Sequence, residues 1–89
     1  MITKEEAKEM IFKTEGKIFG VSFIKKDGTF RAMNCRRGVK KGVKGVGMGY
    51  DPAKFNLIPV YDMNNGFRMI NASTIQDITI KGDKYEVAQ

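Results

Sequence analysis

Apolar and polar residues recur along this chain with two different periods, and the point where the period changes divides it. Over residues 4–14 the apolar residues Ala7, Met10 and Ile11 return at helical spacing, while Lys4, Glu5, Lys8 and Glu9 fall on the other faces. Thr3 and Glu6 stand at the capping-box spacing, Ile2 and Ala7 where a hydrophobic staple would close, and Gly16 supplies a stop. The pattern predicts a short helix within residues 1–16. A helix of that length is unstable alone in water, so it must pack on the rest of the chain.

From Lys17 onward the period is two. Phe19, Val21 and Phe23 fall on one face of a strand, Ile18 and Ile24 on the other, and Lys26-Asp27-Gly28 turns into a second strand over residues 29–36. Leu57–Asp62 and Phe67–Asn71 form a second hairpin about Met63-Asn-Asn-Gly66, with Pro59 marking an edge strand or a bulge. A turn at Ala72–Thr74 leads to a strand over 75–80, and Gly82-Asp83 turns into a last one at 84–87. The reading is mainly β with one N-terminal α-helix. For closely spaced strands that would otherwise expose edges, a small SH3-like or Sm-like antiparallel barrel of five to six strands over 17–89 is the economical architecture. At 89 residues, 1–89 is a single domain.

Between the two hairpins lies an irregular segment, about 37–56. Five of the chain's ten glycines fall between residues 38 and 49, which disfavours regular structure and predicts a long loop. Charge is concentrated there too. No acid occurs between Asp27 and Asp51, an interval holding Arg31, Arg36, Arg37, Lys40, Lys41 and Lys44, and the remainder of the chain is balanced. The whole net charge of +6 therefore sits in one stretch, a field that attracts phosphates or acidic surfaces.

The chemistry available is narrow. With no histidine and one cysteine, Cys35, the chain cannot build a histidine-dependent triad or a Cys/His zinc site. Gly42-Val-Lys44 lacks the adjacent lysine and hydroxyl of a P-loop, and Gly45-Val-Gly47-Met-Gly49 is not a dinucleotide fingerprint. Asp51, Asp62, Asp77 and Asp83 are placed at or near turns, where aspartate is common, and form no acid–base pair. Neither an enzyme nor a cofactor is expected, and no metal site. Cys35 reads as a packing residue, as do Met33, Met63 and Met69 at the core or its rim. Arg68 is placed to pair with Asp62 across its hairpin, and Arg31 stands on a strand beside apolar residues. The candidate phosphate ligands are Arg36, Arg37, Lys40, Lys41 and Lys44, with Tyr50 and Phe55 as candidates for base stacking.

The stretch from Val21 to Cys35, with its Lys25-Lys-Asp-Gly-x-x-Arg-x-Met33 hairpin, and the later Val60-Tyr-Asp62 and Phe67-Arg-Met-Ile-Asn71 together resemble a family of small bacteriophage proteins of SH3 β-barrel or Sm-like fold. The resemblance covers about residues 17–87 and implies an open barrel and a phage protein in the host cytoplasm. Most relatives have no assigned activity. The glycine signature of the second Sm motif is absent, so ring assembly and Sm-type uridine binding are not implied. The N-terminal residues lack the basic and apolar regions of a signal peptide, and no apolar run has the length of a membrane span, in keeping with a cytoplasmic protein without a membrane partner.

Three functions fit. The favoured one is a non-enzymatic binder of phosphate-bearing ligands, nucleic acid first. The others are an anti-defence sponge that sequesters a nucleotide immune signal, and a protein–protein inhibitor of a host enzyme. Oligomerisation is open, since barrels of this type self-associate through edges.

Overall fold

The computed structural model describes residues 1–37 and 56–89. Six antiparallel strands, β1 (Phe19–Ile24), β2 (Phe30–Arg36), β3 (Leu57–Asp62), β4 (Gly66–Asn71), β5 (Ile75–Ile80) and β6 (Asp83–Glu86), follow one helix, α1 (Lys4–Phe12). They form one sheet in the order β4-β3-β2-β1-β5-β6. The glycine-rich segment, with the candidate residues Lys40, Lys41, Lys44, Tyr50 and Phe55, lies outside the described residues.

The local elements follow their sequence signals. Thr3 Oγ1 accepts from the Glu6 N–H while Glu6 Oε1 accepts from the Thr3 N–H, the reciprocal bonds of a capping box. The helix ends at Phe12, two residues before the position expected, and the chain leaves it through Glu15 and Gly16, both at positive φ. Gly28 and Gly66 also take positive φ, at +88° and +85°, and close the two hairpins. The last turn is made by Lys81-Gly82, both at positive φ, one residue earlier than the sequence suggests.

Phe19, Val21 and Phe23 of β1 are all buried, as their alternation predicts, while Ile18 is 55% exposed. They meet Ala7 and Ile11 of the helix, Met33 and Cys35 of β2, Ile58 and Val60 of β3, Ile70 of β4, and Ile75 and Ile78 of β5 in one core. Complete burial of a side chain such as Ile11 contributes about 1.5–3 kcal/mol, which is how so short a helix is held.

This sharing requires a curved sheet. Neighbouring strands lie roughly 4.8 Å apart, so β1 and β4, three places apart, would be separated by roughly 14 Å if the sheet were flat. Their Cα atoms come within 8 Å across the core. Of the small barrel expected from the sequence, the described residues form the bent antiparallel sheet without its closure. The sheet curls but its ends, β4 and β6, do not pair with one another among the described residues. Among the described residues the β2–β3 ladder joins Cys35 to Asp62 and Arg36 to Tyr61. Pro59 is therefore tolerated in a strand that is not an edge: β4 pairs with it through Met69, while among the described residues β2 does not extend alongside it. Beyond β6, Ile2 bridges Val87, and its N–H donates to the Glu86 carbonyl.

No helix of the described residues is long and apolar enough to cross a membrane.

Candidate functional site

Strand register decides what the outer face of the sheet presents. In β2, Met33 and Cys35 point into the core, so Phe30, Ala32, Asn34 and Arg36 stand together on the opposite face, all exposed. In β1 the matching positions are Gly20 and Ser22, paired with Asn34 and Ala32 on one side and with Thr79 and Asp77 of β5 on the other. Three small residues, Gly20, Ser22 and Ala32, thus meet at the middle of the sheet. Where flanking side chains are longer, a hollow results.

That hollow has a volume of about 370 Å³, the lower part of the range of small-molecule sites. Its floor is Gly20, Ser22 and Ala32; Asn34, Asp77 and Thr79 wall it, and Asn64 lines it from the β3–β4 turn. Gly20 is needed for this shape, because a Cβ there would stand 3.3 Å from Asn34 Oδ1 and 3.4 Å from Thr79 Cβ. Ser22 is only 3% exposed and its hydroxyl has no hydrogen-bond partner among the described residues. Buried hydroxyls are ordinarily paired, and an unpaired one facing a hollow is suited to a ligand. Among the described residues no lysine or arginine lines the hollow. Lys84 Nζ stands 3.9 Å from the Asp77 carboxylate.

Two sequence expectations change here. Asp77 is not at a turn but inside β5, facing the hollow, because β5 runs unbroken from Ile75 to Ile80. Asp62 is paired with Arg31, not Arg68: Arg31 Nη2 donates to Asp62 Oδ2 at 2.9 Å, while Arg68 Nη1 donates to the adjacent Phe67 carbonyl. Asp62 is 1% exposed at the inner end of β3, and Arg68 lies two residues beyond Gly66, the residue opposite it, on the exposed edge strand. Asp62 also accepts from the Asn64 N–H and from Asn65 Nδ2, which fixes the turn that places Asn64 at the hollow. Burial alone would raise the pKa of Asp62, but the bonds from Asn64, Arg31 and Asn65 outweigh it and hold the carboxyl at about 2.

Arg36 and Arg37, proposed from the sequence as a pair, diverge. Arg36 is exposed on the outer face, one alternation beyond Asn34. Arg37 turns to the helix, its guanidinium carbon 4.3 Å from the centre of the Phe12 ring, a cation–π contact that fastens the end of β2 to α1. A second, mainly apolar hollow lies between Met10, Ile18 and Ile80, with Lys13, Lys17 and Lys81 around it. Beyond these lysines, Thr14 alone among the described residues brings it a polar side chain, and that hydroxyl is committed to the Ile11 carbonyl.

Cys35 is fully buried, and desolvation, helped by the charge of Asp62 on the paired strand, pushes its thiol up to about 12. At pH 8 its thiolate fraction is on the order of a thousandfold below that of a free cysteine of pKa about 8.5. Native protein is therefore expected to resist iodoacetamide at pH 8 and to be alkylated at once in denaturant. Mass spectrometry of the alkylated chain reads the difference, and rapid labelling of the folded state would contradict this burial.

Among the described residues no three acidic or cysteine side chains gather as a metal centre would require. Comparisons with protein-family models, with curated proteins and with solved structures each give no match.

The residues of the hollow escaped the sequence reading for a definite reason. Ser22, Asn34, Asn64, Asp77 and Thr79 belong to no spacing motif, and only the β1–β5 pairing brings Asp77 opposite Ser22. The alternation of β2 did contain part of the signal, since it places Phe30, Asn34 and Arg36 on one face.

Proposed function

We propose that this is a non-enzymatic, phage-type nucleic-acid-binding protein built on an open SH3-like or Sm-like barrel. The observation that carries the reading is the line along the outer face of β2. An exposed aromatic ring, Phe30 at 63%, is followed by the hydrogen-bonding amide of Asn34 and the exposed cation of Arg36, where the acid-free basic stretch continues. Stacking, edge hydrogen bonding and phosphate neutralisation are the three contacts by which single strands are held on open sheets. Lys25 and Lys26, in the turn next to Phe30, bring positive charge to the other end of the same line. The barrel assignment is supported by the order of the strands after an N-terminal helix and by the curl that brings β4 over β1.

The test is the salt dependence of binding to a fluorescent single-stranded oligonucleotide. The logarithm of affinity is expected to fall linearly with the logarithm of salt, with about 0.7 of slope for each phosphate neutralised. Replacing Lys40, Lys41 and Lys44 together by glutamine is expected to reduce that slope by about 2. An affinity indifferent to salt would overturn the reading.

Sequestration of a free nucleotide is a second reading, favoured by the hollow, whose volume suits a small molecule. A cyclic oligonucleotide or ADP-ribose derivative that raised the melting temperature more than any oligonucleotide would select it.

A further inference from the structure

Among the described residues the hollow lacks the one feature a phosphate site requires, a cation in its lining, yet it carries a carboxylate, two amides and two hydroxyls, one of them buried and without a partner among those residues. Such a set suits a neutral group rich in hydrogen-bond donors and acceptors. Asp77 is the cross-strand partner of Ser22 and Asn34 its diagonal neighbour on the other side, with Cβ atoms roughly 5 Å and 7–8 Å from that of Ser22, so acceptor, hydroxyl and amide follow one another across β1. The floor of Gly20, Ser22 and Ala32 carries only small side chains, which leaves room above it for a ring. Arg36 stands two residues beyond Asn34 on the same face, roughly 7 Å along the strand, and so offers a cation just outside the hollow to whatever charge the ring carries behind it.

We infer that the hollow formed by Ser22, Asn34, Asn64, Asp77 and Thr79 is a nucleobase pocket selective for guanine. A single carboxylate accepts best from two adjacent donors, and guanine alone among the common bases offers a ring N–H beside an exocyclic NH2. Asp77 takes those two donors. The Ser22 hydroxyl and the Asn34 amide donate to the O6 carbonyl, which gives the orphan hydroxyl its partner. Adenine would set its unprotonated ring nitrogen against the carboxylate, and cytosine provides only one donor there. The phosphate of the same nucleotide falls to Arg36, and this part alone rests on the nucleic-acid reading.

Neutral nucleosides separate the pocket from the phosphate sites. With isotope-labelled protein, guanosine is expected to shift the amide resonances of Gly20, Ser22 and Asn34 and to bind about tenfold or more tightly than adenosine or cytidine. Inosine, which lacks the exocyclic amine, should lie between. Asp77→Asn is expected to abolish the preference. Ser22→Ala is expected to weaken guanosine binding while leaving the melting temperature equal or higher, a combination that a purely structural serine would not produce. Equal responses to all four nucleosides, or none, would overturn the pocket. Guanosine binding without oligonucleotide binding would keep the pocket and remove the nucleic-acid reading, and salt-dependent oligonucleotide binding without base preference would do the reverse.

Discussion

Asp62→Ala is expected to lower the unfolding free energy by about 3 kcal/mol at pH 7, measured as a shift of the urea midpoint at unchanged slope. The substitution removes one buried carboxylate and strands three donors, Arg31 Nη2, the Asn64 N–H and Asn65 Nδ2. Arg31 is the most exacting of these. Its side chain is only 23% exposed and its Nε already lacks a partner among the described residues, so without Asp62 the guanidinium would lose its remaining acceptor. A second substitution, Arg31→Met, made in the Asp62→Ala background, should recover part of the loss, because an apolar side chain leaves no charge stranded.

The same carboxylate gives the protein an acid limit. Its folded pKa of about 2 lies below the unfolded value of about 3.9, so the unfolded state binds more protons between the two. The stabilisation, about 2–3 kcal/mol, is complete above the unfolded value and disappears as pH falls from about 5 to about 2. The difference between wild type and Asp62→Ala across that range isolates this group from the other carboxylates. One of those is the exposed Asp27, which is also lowered, chiefly by the bond from the Thr29 hydroxyl. If the two proteins lose stability in parallel as acid is added, Asp62 is not the group responsible.

What could be read before the structure, and what could not, divides along the range of the interactions involved. Turns are local, and Asp27-Gly28 and Asn65-Gly66 announce themselves because few residues other than glycine accept positive φ cheaply. Helix α1 is local for the same reason, its capping box lying within four residues. The curl of the sheet is not local: it follows from a core shared by every strand from β1 to β5, and no periodicity records how far a sheet bends. The partner of Asp62 was misjudged on similar grounds. Arg68 is the near cation in sequence, but Arg31 reaches the carboxylate from another hairpin. The hollow required both kinds of information, the alternation within β2 and the pairing of β1 with β5. The basic segment was legible as charge alone.

Two phenylalanines beside the turn of one hairpin, one on each strand, test this division of faces. Phe23→Ala is expected to cost about 3–5 kcal/mol, the range for deleting a buried aromatic ring and leaving a cavity. Phe23 is 2% exposed in the strand at the centre of the sheet, paired with Arg31 on one side and Ile75 on the other, so little can move to fill the space. A domain of this length holds on the order of 5–13 kcal/mol in total, and at about 4–8 °C per kcal/mol the melting temperature should fall by about 15 °C or more. Phe30→Ala, at 63% exposure on the outer face, is expected to change stability by less than about 0.5 kcal/mol. Its effect should appear in binding, where loss of one stacked base is worth about 1–3 kcal/mol of oligonucleotide affinity. Calorimetry and the oligonucleotide titration on the same two variants check both halves. A Phe30→Ala protein as destabilised as Phe23→Ala would mean that Phe30 belongs to the core and that the proposed binding face has no aromatic end.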